Sequence, residues 1–153
     1  MIQIEDVRSL RDRIGEEVAA SGWVEISQAR IDQFAEATGD TQWIHVDAAR
    51  AAAESPFKTT IAHGFLTLSL MSALIREAMQ FHHLRLAINY GMNRMRFVAP
   101  VPAGSRIRAR FAPVSVEEVS GSVQVTWQVT IDREHADKPC CVAEWIVRYY
   151  LDA

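Results

Sequence analysis

Gly64-Phe-Leu-Thr-Leu-Ser-Leu-Met-Ser-Ala-Leu-Ile-Arg-Glu-Ala-Met-Gln-Phe81 is the longest helical signal in the chain. Phe65, Leu66, Leu68, Leu70, Met71, Leu74, Ile75 and Met79 cover more than half the circumference of such a helix. A helix that is apolar nearly all round must be buried. In a chain of 153 residues burial requires a sheet wrapped about the helix, because each apolar face needs a second layer to cover it.

The residues that follow supply that sheet. Ile88 to Val98 reads as a strand closed by Pro100 and Pro102. Ile107, Ala109 and Phe111 then alternate with Arg106, Arg108 and Arg110. Val123, Val125, Trp127, Val129 and Ile131 alternate with polar residues, as do Ala143, Trp145, Val147 and Tyr149 with Glu144, Ile146, Arg148 and Tyr150. Period-two patterning predicts antiparallel strands with one face on the core. Ser120-Gly121 is a hairpin signal. The fold class is therefore α+β, one antiparallel sheet around one apolar helix.

Before the central helix the chain reads as helix and loop. Val7, Leu10, Ile14 and Val18 recur at helical spacing, predicting an N-terminal helical extension over residues 1–22 of a single domain spanning 1–153. Trp23 to Ile26 is a short strand. Ser27 caps a helix over 28–38 carrying Ile31, Phe34 and Ala35, and Gly39 takes the left-handed position that closes it. Asp47 caps a short alanine-rich turn that stops at Ser55-Pro56.

Composition narrows the function classes. The net charge is −3, without the basic stripe of a nucleic-acid binder. The charged N-terminus has no apolar leader core, and the longest apolar stretch is shorter than the ~20 residues of a membrane span. Cys140 and Cys141 are adjacent, which leaves neither a disulfide framework nor a zinc spacing. The expectation is a soluble cytoplasmic protein with no metal, no membrane and no nucleic-acid partner.

Two stretches carry residues suited to chemistry. In Ala37-Thr-Gly-Asp-Thr-Gln-Trp-Ile-His45 an acid follows the helix end and a histidine follows five residues later. Trp43 and Ile44 pull the loop inward, and desolvation raises a carboxylate pKa and lowers an imidazole pKa. An acid and a base sharing one water can deliver hydroxide to one carbon and a proton to its neighbour. A turn aspartate and a histidine at a helix start account for the same spacing. In Thr59-Thr-Ile-Ala-His-Gly-Phe65, Gly64 falls in the first helical turn, where unpaired N–H groups and the missing Cβ suit an oxyanion. Easing the chain into the helix is the alternative reading.

Phe34-x-x-Ala-Thr-Gly-Asp-x-x-x-Ile-His, with Ala51 six residues later, resembles the signature of MaoC-like dehydratases, which include the R-specific enoyl-CoA hydratases. Ile61-Ala-His-Gly-Phe-Leu-Thr is similar to that family's approach to its central helix. Asn89 to Arg106 resembles its next strand and turn, particularly in the branch named for nodulation protein N. The three motifs stand in order over about residues 23–150. The resemblance implies a hot-dog fold, a curved antiparallel sheet wrapped round one long helix. It implies Asp40 and His45 as the catalytic pair and the Gly64 N–H as the group polarising a thioester carbonyl. The implied reaction is reversible hydration of a trans-2-enoyl thioester, carried on coenzyme A or acyl carrier protein, to the R-3-hydroxyacyl thioester. No metal or redox cofactor is implied, and a homodimer is. The chain departs from the family pattern at Gln42-Trp43, where Asn-Pro is common, and at Lys58-Thr59, where relatives have small residues.

A thioesterase on the same fold, or a non-catalytic acyl-thioester binder, are the rival functions. His63, Lys58 and Arg94 are assigned to substrate binding: His63 beside Gly64, Lys58 as a coenzyme A phosphate contact, Arg94 near an entrance. For each a structural or surface role is the plainer reading. Arg106, Arg108 and Arg110 read as a solvated outer face. His82-His83 reads as a polar helix end, Trp127 and Trp145 as core, and Cys140 and Cys141 as packing residues.

Overall fold

The computed structural model describes residues 1–152. The elements in chain order are β1 (Ile2–Ile4), a 3₁₀ turn (Val7–Arg13), β2 (Ala19–Ala20), β3 (Val24–Glu25), α1 (Gln28–Thr38), α2 (Trp43–Val46) and α3 (Ala48–Glu54). They are followed by α4 (Gly64–Ser69), α5 (Met71–Ala78), β4 (Met79–Phe81), β5 (Leu84–Phe97), β6 (Arg106–Val119), β7 (Ser122–Arg133) and β8 (Cys141–Leu151).

The expected wrap of sheet around helix is present. The sheet runs β2-β6-β7-β8-β5, with β3 also on β6, and every pairing in it is antiparallel. Ile107, Ala109, Phe111, Val125, Trp127, Val129 and Ile131 are buried on its inner face. Met71, Leu74, Ile75 and Ala78 of α5 complete the core. Burying side chains of the Phe111, Leu74 and Met71 type stabilises by about 1.5–3 kcal/mol each. Trp127 donates from Nε1 to the buried Tyr149 hydroxyl at 2.9 Å, so the polar ends of both aromatics are satisfied. The β6–β7 hairpin turns at Ser120 and Gly121, whose φ values of 47° and 76° match the twist of the flanking strands.

Arg106, Arg108 and Arg110 lie on the outer face. They pair with Glu134, with Asp132, and with Asp132 and Glu17 respectively. Such solvent-facing pairs contribute little. His82 reaches Gln3 from its Nε2. Cys140 and Cys141 are buried and unbridged; burial pushes their thiols up to about 12 and about 11. No helix is long and apolar enough to cross a membrane among the described residues.

Three expectations from periodicity are corrected. The N-terminal extension is not an amphipathic helix over residues 1–22. Only a 3₁₀ turn forms, over Val7–Arg13, and β1 and β2 flank it as strands. Val18 donates its N–H to the Phe111 carbonyl at 2.9 Å, so β6 takes the backbone that a helix would have used internally. The central helix ends at Ala78 rather than Phe81, because residues 79–81 pair in parallel with β1. The helix is also not covered all round. Phe65 is 65% exposed, and a cleft lined by Leu68, Ser72, Asn89 and Met92 opens between it and β5.

Candidate active site

The Asp40 loop leaves α1 where the sequence requires it to. Ser27 accepts the Arg30 N–H at the N-terminus of α1, and Gly39 closes the helix at φ 77° while donating to the Ala35 carbonyl. A residue with a Cβ would be strained at that φ. Asp40 follows at once and is exposed; its Oδ1 accepts the Gln42 N–H at 3.4 Å.

His45 sits in α2, 7% exposed. Its ring is held from two sides. Nδ1 lies 2.7 Å from the Ile61 carbonyl, which can only accept, so Nδ1 carries the hydrogen and Nε2 keeps its lone pair. The His63 ring stacks on it, centroids 3.8 Å apart and planes 24° from parallel. Burial, more than any neighbour, holds the His45 imidazole below the ordinary histidine range; His63 adds to that lowering. The Ile61 carbonyl and Asp40 act in the opposite direction. Gln28 fixes the backbone beneath, donating from Nε2 to the His45 carbonyl at 2.8 Å while its Oε1 accepts the Thr60 hydroxyl.

A carboxylate oxygen of Asp40 and one ring nitrogen each of His45 and His63 lie within 4.8 Å of one another. One water making two hydrogen bonds of about 2.8 Å spans such a separation. A shared metal ion fits poorly. Imidazole lone pairs lie in the ring plane, and two planes stacked at 3.8 Å and 24° do not meet near the rings. Convergence of the ligand lone pairs on one ion is what a metal centre needs.

Gly64 opens α4, reached through residues 60–63, which are sewn to the turn after β5. Ala62 donates to the Val101 carbonyl at 2.8 Å and Ala103 to the Thr60 carbonyl at 2.9 Å. Among the described residues the Gly64 N–H meets no protein acceptor. A cavity of about 280 Å³ brings Gly64 and His45 together, with Phe57, Thr67, Phe97 and Val101 in its walls.

The structure thus gathers Asp40, His45, His63 and Gly64. His63 is 2% exposed and does not line the cavity. Lys58 is exposed in the turn after α3 at φ 59°, next to the cavity-lining Phe57. Arg94 is not part of the site: it points outward from β5, 85% exposed, and pairs with Glu144 at 2.8 Å. Phe97 and Gln28 are site-building residues that sequence reading does not single out. Phe97 falls inside a family-like motif; Gln28 has no local signal for this role, since its site partners His45 and Thr60 are remote in sequence and its near partner is Asp32 one helical turn on.

A hot-dog sheet around a helix, with an imidazole and a free N–H at one cavity and an acid close to that imidazole, defines an acyl-thioester class of enzyme. Residues 9–135 match the MaoC like domain, and the chain belongs to the MaoC-like dehydratase family. It is 52% identical over 150 residues to 3-hydroxyacyl-thioester dehydratase Z of Mycobacterium tuberculosis, covering 97% of this chain and 99% of that one. It is 45% identical over 142 residues to Nodulation protein N of Rhizobium leguminosarum bv. viciae, covering 92% and 88%. The unliganded R-hydratase PhaJ1 from Pseudomonas aeruginosa shares the fold with a TM-score of 0.70 at 25% identity, over 91% of this chain and 83% of that one.

Proposed function

We propose that the protein is a hydratase/dehydratase of acyl thioesters, a carbon–oxygen lyase that adds water reversibly to trans-2-enoyl thioesters to give R-3-hydroxyacyl thioesters. The observation that carries it is the approach of Asp40 to His45 within one water's span, beside the free N–H of Gly64.

His45 Nε2 takes a proton from water as its oxygen bonds to C3. The electron pair of the double bond moves toward the thioester oxygen, where the Gly64 N–H meets the developing charge. Asp40 holds the same water and serves proton delivery to C2. One O–H bond and the C2=C3 π bond break, and one C–O and one C–H bond form; the proton taken by His45 is returned by way of Asp40 to C2, so both groups end as they began and the net charge is unchanged. Dehydration is the reverse. Polarisation of the thioester acidifies C2, so the step calls on no metal or redox cofactor.

Lys58 is the exposed cation beside the cavity and is our choice for a phosphate contact with the carrier, coenzyme A or acyl carrier protein. We assign a homodimer formed through β5. Among the described residues that strand pairs only with β8, leaving its other edge unpaired, and Leu86, Ile88 and Tyr90 are exposed along it. An open edge with apolar side chains invites pairing. Two unbridged cysteines suit a reducing, cytoplasmic compartment.

The test is incubation with crotonyl-CoA, following enoyl absorbance and free thiol together. Enoyl loss without thiol release is the expected result. Thiol release would make the protein a thioesterase, and binding without turnover a carrier of acyl thioesters.

A further inference from the structure

We infer that His63 is a positioning residue for the Asp40–His45 pair, tethering the Asp40 loop through its Nε2 and holding the His45 ring by stacking. The inference rests on the hydratase reading and alters the part expected of His63, from substrate contact to support.

Three side-chain contacts and a backbone contact converge on this residue. Its Nε2 lies 2.9 Å from the Asp40 backbone carbonyl. That oxygen only accepts, so the neutral ring carries its hydrogen on Nε2. Its face lies against His45 at 3.8 Å. Its own backbone opens α4, where its carbonyl accepts the Leu66 N–H at 3.1 Å, and Gly64 is its immediate neighbour. Phe34 of α1 closes over the ring from another side, centroids 5.0 Å apart. One buried residue therefore joins the loop of the acid and the ring of the base through its imidazole, and the start of the oxyanion helix through its backbone.

Its Nδ1 is buried with no hydrogen-bond partner. A packing histidine is easily satisfied or replaced by an apolar ring. Here one nitrogen is left unpaired while the other reaches Asp40, the arrangement expected when the position of the ring matters more than the satisfaction of both ends. The cavity is lined by residues on either side, Ala62 and Gly64, but not by His63. A substrate in that cavity meets His45 and Gly64 first.

Two substitutions separate the two supports. His63→Gln keeps an N–H that can reach the Asp40 carbonyl and loses the flat ring. His63→Phe keeps the ring and loses the N–H. Misplacing a reacting group by about 1 Å can cost on the order of 10²-fold. For His63→Phe we expect kcat for crotonyl-CoA hydration to fall ~10- to 100-fold with KM little changed, and His63→Gln to recover part of that loss. Both remove an imidazole that, when protonated, opposes the charging of His45. The other charged group facing His45 is Asp40, which both variants keep. The acid limb of the kcat/KM profile should therefore move to higher pH in both.

A rise in KM at unchanged kcat would overturn the inference in favour of substrate contact. Wild-type kcat and an unmoved acid limb in both variants would overturn it outright. So would losses that follow the fall in Tm alone with the acid limb unmoved. A measurement on the wild-type protein needs neither variant nor turnover: long-range ¹H–¹⁵N spectra should show His63 as the Nε2–H tautomer, and the Nδ1–H tautomer would overturn the tether. If the wild-type protein fails to hydrate any enoyl thioester while His63 shows the Nε2–H tautomer, the hydratase reading fails and the tether stands.

Discussion

A Cβ on Gly64 would lie 2.6–2.8 Å from the ring atoms Cε2, Cδ2 and Cζ of Phe97. The glycine and the aromatic ring are in direct packing contact across the cavity, and only the absence of a side chain permits it. Phe97 is 44% exposed, and Phe65 meets it edge-on at 6.0 Å. Gly64→Ala should displace the ring into the cavity or out of it. We expect turnover to fall by at least ~10-fold, as for loss of part of an oxyanion contact. Adding Phe97→Ala to Gly64→Ala should recover stability in a melting experiment. A double variant no more stable than Gly64→Ala would show that the clash is relieved elsewhere.

Asp40→Asn and His45→Asn should each lower hydration ~10²–10⁴-fold, the usual contribution of a general acid or base, with circular dichroism unchanged. Near-normal turnover in either variant removes that residue from the mechanism.

Burial lowers the His45 pKa below its ordinary value. A general base must be neutral, and kcat/KM reports the free enzyme. Activity should therefore persist as pH falls below ~6.5, the unperturbed histidine value, and decline only as pH passes through the lowered one. The sign for stability agrees: below ~6.5 the unfolded chain binds the proton more readily than folded His45, so this group's contribution falls as pH drops. An acid limb centred above 6.5, with chemistry rate-limiting, would contradict the assignment.

Trp127→Phe removes the donor to the Tyr149 hydroxyl and leaves it buried and unpaired. Burial already pushes that hydroxyl above the ordinary tyrosine range. An unsatisfied buried group costs about 1–3 kcal/mol, before any cavity is counted. Denaturant unfolding measures it. Trp127→Phe combined with Tyr149→Phe should lose less than the sum of the two single changes.

Light scattering should give twice the 17.2 kDa chain mass. Ile88→Lys places a charge on the open β5 edge, where the native side chain is 47% exposed; it should yield folded monomer with reduced activity. A fully active wild-type monomer would dispose of the β5 interface.

The alternation of β6, β7 and β8, the caps at Ser27, Gly39 and Asp47, and the turn at Ser120-Gly121 are all legible in the sequence. Each depends on the side-chain period or on the backbone preference of one residue, and both are local properties. The 34–45 and 61–67 motifs likewise carry Asp40, His45 and Gly64, and the resemblance of those motifs assigns their roles. Residues 1–22 are different. Their apolar spacing suits a helix, yet β6 and β4 offer backbone partners from over 60 residues away, and tertiary hydrogen bonding outweighs helix propensity. Distance in sequence also hides the tautomer of His45, which is set by the carbonyl of Ile61, and the contact between Gly64 and Phe97. In the sequence, Arg94 and His63 both read as substrate contacts. The sheet register turns Arg94 outward to Glu144, and the fold places His63 behind Asp40 and His45. Periodicity says which face of an element is apolar; only the packed chain decides which residues meet across the space between elements.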